Sequence, residues 1–222
     1  MEKFLKYLAV FLAIIFIMVL AVKQNNMTIR QSVLKAIYPA LMSVGKFFGT
    51  NDRIKTNTNN IKPPGSFYGL SAIANNGEIF SFDSLEGKKV MLVNTASDCG
   101  YTGQYDELEK LYQQYKGKLV IIAFPANDFK DQEAASDDAI ATFCKLNYGI
   151  TFPLMKKSVV IKRFDQNSVF QWLSDKSKNG WNDKEPTWNF SKYLVDGHGK
   201  LVSYFDPSIS PLSKDVIDAI NR

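Results

Sequence analysis

An α/β fold, with helices flanking a small mixed sheet, is predicted by three observations. Two continuous apolar runs, residues 90–93 and 120–124, have the composition of strands covered on both faces. Between them Leu108, Leu111, Tyr112 and Tyr115 fall at i, i+3, i+4 and i+7, the stripe of an amphipathic helix. Strand, helix and strand together make a βαβ unit, hence a parallel pair with a right-handed crossover.

The remaining elements follow from local signals. Residues 67–74 and 78–82 predict a hairpin across Asn75-Asn76-Gly77. A second helix starts at the N-cap Ser136, followed by Asp137 and Asp138, and ends near Asn147-Tyr148-Gly149. Its apolar face includes Ile140, Phe143 and Cys144. A strand is expected over 152–155 and a helix over 168–175. A hairpin over 190–205, turning at Gly197-His198-Gly199, and a last helix over 214–220 complete the order. With a cysteine after the first central strand, this order matches a thioredoxin-like architecture.

Composition narrows the chemistry. The chain has 222 residues, enough for one substantial core and an appendage. Cys99 and Cys144 are its two cysteines and His198 its one histidine. That excludes a disulfide-rich scaffold and a four-cysteine zinc site, and leaves little from which to build Cys/His metal or hydrolase chemistry. His198 reads as a solvated turn residue, and no metal or organic cofactor is implied.

The net charge of +5 resides in the N-terminal extension: residues 1–62 hold nine Lys/Arg against two Asp/Glu, leaving the rest of the chain slightly acidic. Such a body lacks the basic surface that nucleic acid calls for, whereas the extension suits anionic lipid.

Residues 7–22 (YLAVFLAIIFIMVLAV) are uninterruptedly apolar behind Lys3 and Lys6. The run is long for a signal-peptide core and slightly short for a bilayer span. Length favours an uncleaved single-pass anchor in the cell envelope over export after cleavage at Val19-Leu20-Ala21, and segment 1–26 carries either reading. Lys/Arg counts at its two ends are similar, so orientation is not fixed. Over 27–48, Ile29, Val33, Leu34, Ile37, Leu41 and Val44 form an apolar stripe that suits a membrane-surface helix or one packed on the catalytic domain. Residues 51–65, ending in Pro63-Pro64-Gly65, have the composition of a linker, so the segment 27–65 reads as basic juxtamembrane helix plus linker and 66–222 as the folded domain.

Cys99 stands where the strand over 90–93 gives way to the first helix. A helix N-terminus favours thiolate over thiol, which makes the sulfur nucleophilic; the competing reading is a small buried hydrophobe.

Four blocks decide between these readings: VNTASDCGYT around Cys99, FPANDFKDQE at 124–133, FCKLNYGITFP at 143–153 and WNFSKYLV at 188–195. Together, in order and spacing, they resemble the glutathione peroxidase family over about residues 66–222. The resemblance implies that Cys99 is the peroxidatic residue, with Gln132, Trp188 and Asn189 completing a catalytic tetrad. It implies that Cys144 is the resolving cysteine of thioredoxin-dependent members, closing a disulfide with the Cys99 sulfenic acid. The substrates it implies are hydrogen peroxide and organic or lipid hydroperoxides, with thioredoxin or glutathione as reductant.

Departures from the family pattern sharpen this. Ala126 stands where many members have a cysteine, Asp128 where glutamine is common, and Glu133-Ala134-Ala135 replaces Glu-Pro-Gly, so a different local turn is expected. The stretch 153–188 lacks the insertion through which tetrameric members assemble, which implies a monomer and weakens the case for glutathione. Two other classes compete. A disulfide oxidoreductase is disfavoured because Cys99-Gly100-Tyr101-Thr102 lacks a second cysteine. A redox sensor or binding module would signal through the same disulfide instead of clearing peroxide.

Overall fold

The structure is a computed structural model that describes Leu12 and residues 27–47 and 53–222. The apolar run 7–22, with its anchor and signal readings, lies outside the described residues apart from Leu12. Among the described residues no helix is long and apolar enough to cross a membrane.

The elements in chain order are α1 (Ile29–Phe47), β1 (Ile54–Thr56), β2 (Ser71–Ile73), β3 (Ile79–Ser81), β4 (Lys89–Thr95), α2 (Gln104–Gln114), β5 (Leu119–Pro125), α3 (Asp137–Tyr148), α4 (Ser168–Leu173), α5 (Lys176–Asn179), β6 (Lys192–Val195), β7 (Leu201–Phe205) and α6 (Lys214–Asn221). Five strands form one sheet in the order β1-β7-β6-β4-β5, and β2 and β3 form a separate hairpin. β4 and β5 run parallel, with Val90 opposite Val120 and Thr95 opposite Pro125. β6 pairs antiparallel with β4, and β7 with β6. The predicted βαβ unit is therefore the middle of the fold.

Two apolar layers cover the sheet. On one face Met91, Val93, Ile121 and Ala123 pack with Leu108 and Leu111 of α2, Ile140, Phe143 and Cys144 of α3 and Val216 and Ile220 of α6. On the other, Val90, Leu92, Ile122 and Phe124 pack with Phe67, Phe82, Val169, Phe170 and Leu173. Consecutive residues of β4 and β5 thus enter opposite cores, which is why both strands are apolar at every position from 90 to 93 and 120 to 124.

Helix boundaries follow their caps. The Ser136 side chain accepts from the Ala139 N–H to start α3, and Gly149, with φ 58°, ends it by donating to the Lys145 carbonyl. In α1, Thr28 and Gln31 close a reciprocal capping box, Gln31 N–H to Thr28 Oγ1 at 3.2 Å and Thr28 N–H to Gln31 Oε1 at 2.9 Å. Pro39 is accommodated inside α1.

Three expectations are corrected. The linker contains β1, whose residues 54–56 pair with 203–205 of β7 and extend the sheet edge. The expected strand at 152–155 reduces to isolated bridges, Leu154 with Ala123 and Met155 with Ala74, around Pro153, which lacks an amide hydrogen. Helix α1 lies on the domain through Met27 just before it and Ser32, Tyr38 and Met42; of the predicted stripe Val33 and Leu34 are half-buried, Ile29 and Ile37 face outward, and Leu41 is exposed except where it meets Gly100.

Candidate functional site

Three strand ends converge at one edge of the sheet. Cys99 follows the C-terminal end of β4, Gln132 lies beyond the C-terminal end of β5, and Trp188 and Asn189 precede antiparallel β6. This edge gathers loops in any open sheet with a parallel core. Asn94, the penultimate residue of β4, ties that strand to the loop that carries Trp188: its Nδ2 donates to the Trp188 carbonyl at 3.1 Å, and its Oδ1 accepts from the Ser191 N–H at 3.0 Å.

The backbone aims the side chains. Lys130 and Asp131, at φ 54° and 53°, precede Gln132, and Phe190, at φ 70°, follows Asn189. Left-handed backbone at non-glycine residues is costly and persists where the surroundings over-determine it. Its effect here is to turn Gln132 and Asn189 toward one another: Asn189 Nδ2 donates to Gln132 Oε1 at 3.0 Å. The Gln132 carbonyl also accepts from the Asp98 N–H at 3.1 Å, so the Gln132 turn is fastened to the Cys99 loop.

Cys99 sits in the turn that precedes α2, five residues before the first helical residue, with no exposed surface. The Tyr101 N–H points at its sulfur, N to Sγ 3.4 Å. Burial pushes the thiol pKa up; the Tyr101 N–H and the Trp188 and Asn189 side chains beside the sulfur oppose that shift, and Asp98 adds to it. The expectation of a thiolate stabilised by the first turn of a helix is thus corrected: the helix begins too late, and desolvation outweighs the donors. Trp188 packs against Phe129 with centroids 5.5 Å apart, and the Lys130 ammonium lies 5.6 Å from its ring centroid.

The structure therefore brings Cys99, Gln132, Trp188 and Asn189 together. Cys144 stands in different surroundings: it is a free, fully buried thiol on α3 beside the Tyr105 hydroxyl. Burial pushes its pKa up to about 12, with the Tyr105 hydroxyl opposing and the Glu133 charge adding to the shift.

Sequence reading missed Glu133, Ser97, Tyr105 and Asn94. Glu133 has no exposed surface; its Oε1 accepts from the Ser97 hydroxyl at 2.6 Å, while Oε2 lacks a hydrogen-bond partner among the described residues. Burial raises its pKa to about 7 against the opposing Ser97 hydrogen bonds and the Lys157 charge. A carboxyl that titrates near 4.5 when unfolded and about 7 when folded binds its proton more tightly in the native state, so it removes stability as pH rises from 4.5 to 7. Glu133→Gln keeps an acceptor for Ser97 and cannot ionise. Urea denaturation across that window is expected to show the variant gaining about 3 kcal/mol on the wild-type chain.

His198 is exposed in its turn as expected. A groove of about 970 Å³ lined by Lys89, Tyr115, His198 and Arg222 among others lies at the opposite end of β4 from Cys99.

The glutathione peroxidase family profile matches residues 67–174. Glutathione peroxidase-like peroxiredoxin 2 of Saccharomyces cerevisiae is 46% identical over 151 residues, 68% of this chain and 93% of that protein. Glutathione peroxidase-like peroxiredoxin GPX5 of Chlamydomonas reinhardtii is 47% identical over 148 residues, 66% of this chain and 90% of that protein. Among solved structures, the crystal structure of Trgpx in apo form superposes with a TM-score of 0.55 at 29% identity, covering 72% of this chain and 97% of that one. A DsbF homologue from Corynebacterium diphtheriae, at 13% identity, has a TM-score of 0.55, covers 78% of this chain and 96% of that one, and shares the thioredoxin-like fold alone. Sequence identity at this level across nearly the full length of both peroxiredoxins establishes that the chain belongs to the glutathione peroxidase family.

Proposed function

We propose that the chain is a thiol peroxidase that reduces hydrogen peroxide and organic or lipid hydroperoxides at Cys99, with Cys144 as resolving thiol and thioredoxin as reductant. The observation that carries the reading is the cluster at the sheet edge: a sulfur flanked by the Tyr101 N–H, Trp188 and Asn189, with Asn189 hydrogen-bonded to Gln132. Curated relatives named as peroxiredoxins support it.

In the first half-reaction the Cys99 sulfur attacks one peroxide oxygen, the O–O bond breaks, and the departing alkoxide takes up the thiol proton. Cys99 becomes a sulfenic acid and the hydroperoxide an alcohol or water. The donors serve this step twice. They stabilise the minority thiolate that burial disfavours, and in this reading the amides of Gln132 and Asn189 hold the peroxide oxygens as charge develops on the leaving one. In the second half-reaction the Cys144 sulfur displaces hydroxide from the sulfenic acid, the Cys144 proton joins it as water, and a Cys99–Cys144 disulfide forms. A dithiol then reduces that bond by exchange.

Residues 1–26, with the apolar run 7–22, act in this reading as a single-pass anchor or an export signal ahead of the basic segment 27–65 and the catalytic domain 66–222. The outward Ile29 and Ile37 of α1 suit a place close to lipid.

The test is peroxide consumption by the full chain, supplied separately with thioredoxin plus its reductase and with glutathione plus its reductase. Turnover with thioredoxin that Cys144→Ser lowers at least ~100-fold is expected, because without a second thiol the sulfenic acid has no internal route to a disulfide. Turnover with glutathione that survives Cys144→Ser would make Cys144 a core residue.

A further inference from the structure

Helix α1 lies across both cysteine-bearing segments. Arg30 Nε meets Asp98 Oδ1, next to Cys99, at 3.3 Å. On the other side Lys35 Nζ donates to the Asn147 carbonyl at 2.8 Å and sits 4.2 Å from the Tyr148 ring centroid, at the C-terminal end of the helix that carries Cys144. Between these points Tyr38 and Leu41 rest on glycines of the Cys99 loop. A Cβ on Gly103 would stand 2.4 Å from Tyr38 Cγ, and one on Gly100 3.5 Å from Leu41 Cδ1. Tyr38 and Met42 are buried, and Met27, just ahead of the helix, belongs to the same apolar cluster as Cys99 and Cys144.

The two sulfurs occupy separate environments, Cys99 with Tyr101, Trp188 and Asn189, Cys144 with Tyr105 and Glu133. Both are free thiols here, and a disulfide requires the sulfurs about 2.05 Å apart at a defined torsion, so the Cys99 loop, the end of α3 or both must shift for the bond to form. Those are the segments α1 pins. A reducing dithiol must also bring its sulfur in line with the bond, through the surface above the same segments.

We propose that α1 is a strap over the reductant-docking face: it holds the two cysteine segments in their thiol arrangement, and formation of the Cys99–Cys144 disulfide lifts it so that a thioredoxin-type dithiol partner docks where it lay. The proposal rests on the resolving role given to Cys144. Oxidising equivalents come from the hydroperoxide: the Cys99 sulfenic acid and the Cys144 thiol yield disulfide and water, and the partner's two thiols return both cysteines while its own disulfide forms. The strap couples two states of one surface, so loosening it must favour the disulfide arrangement by the same factor that oxidation loosens it.

Gly103→Ala isolates the contact. Gly103 has ordinary helical backbone, φ −58° and ψ −17°, so alanine is unstrained there, yet its methyl group displaces Tyr38. The full chain is compared with Gly103→Ala and Tyr38→Ala in two measurements: hydrogen exchange of residues 29–43 in the thiol state and after one equivalent of hydrogen peroxide, and the rate of disulfide formation after the sulfenic acid by quenched alkylation. Expected are a loss of α1 protection on oxidation of the wild-type chain, loss already in the thiol state of both variants, and disulfide formation roughly tenfold faster in them, as the fraction of chains in the released arrangement rises. Equal protection of α1 in the thiol and disulfide states overturns the strap while leaving the peroxidase reading in place. A chain that consumes peroxide without forming the Cys99–Cys144 bond overturns the resolving role first, and the strap with it.

Discussion

Cys99→Ser is expected to reduce peroxide turnover by at least ~10³ while leaving the fold intact, because in the proposed reaction it removes the nucleophile and leaves only the binding contributions of the site. A serine oxygen at this position is nearly isosteric with sulfur, still receives the Tyr101 N–H, and adds no volume at a side chain that is fully buried. The hydroxyl cannot accept an oxygen atom from the peroxide, and its pKa leaves no useful anion at neutral pH. A coupled NADPH assay with thioredoxin and its reductase reads the rate, and thermal unfolding checks that the loop holds. A variant that turned over at the wild-type rate would move the chemistry elsewhere, and the tetrad would become a packing arrangement.

The central strands were legible because burial on both faces leaves a signature along the chain. Residues 90–93 and 120–124 alternate between two cores and so are apolar throughout. Helix α3 was legible at both ends for local reasons, an N-cap serine and a left-handed glycine. Strand β1 was not, because Ile54-Lys55-Thr56 becomes a strand only through pairing with β7, about 150 residues later. In α1 the periodic stripe was real, but a helix with apolar residues around much of its circumference offers more than one face. Packing selected Tyr38 and Met42, where the Cys99 loop supplies glycines small enough to accept a ring.

At the site, residue types with a characteristic neighbourhood could be recognised, whereas their supports could not. Cys99 at a strand end, Gln132 after Asp131 and Trp188-Asn189 before a strand belong to blocks of recognisable order. Asn94, Ser97 and Glu133 are polar residues whose importance comes from what they face: Asn94 bridges β4 to the Trp188 loop, and Ser97 holds a carboxyl that would otherwise be alone in the core. The protonation state of Cys99 was also illegible. It depends on a balance between three donors and complete burial, and burial is a tertiary property.

Lys192 carries the second large expected effect. It is a fully buried lysine on β6 whose ammonium reaches Gln104 Oε1 at 2.8 Å and the Ile209 carbonyl at 2.7 Å. Gln104, the first residue of α2, in turn donates to the Pro207 carbonyl at 2.6 Å, so one side chain fastens the start of α2, and with it the end of the Cys99 loop, to the strand behind. Burial pushes its pKa down to about 7, against the charges of Asp206 and Glu107. An unfolded lysine holds its proton to about 10.5, so between pH 7 and 10.5 the unfolded chain binds more protons than the folded one, and stability from this group rises with pH. Lys192→Met fills the volume without ionising. Relative to that variant, the wild-type chain is expected to gain up to about 5 kcal/mol from pH 7 to 10.5 in urea denaturation, the linkage equivalent of this shift. At the alkaline end the variant should be the less stable protein, since Gln104 Oε1 and the Ile209 carbonyl lose their donor at ~1–3 kcal/mol each. A stability difference independent of pH would mean that the surrounding acceptors hold Lys192 as an ammonium throughout, and that desolvation of this site is offset by hydrogen bonding alone.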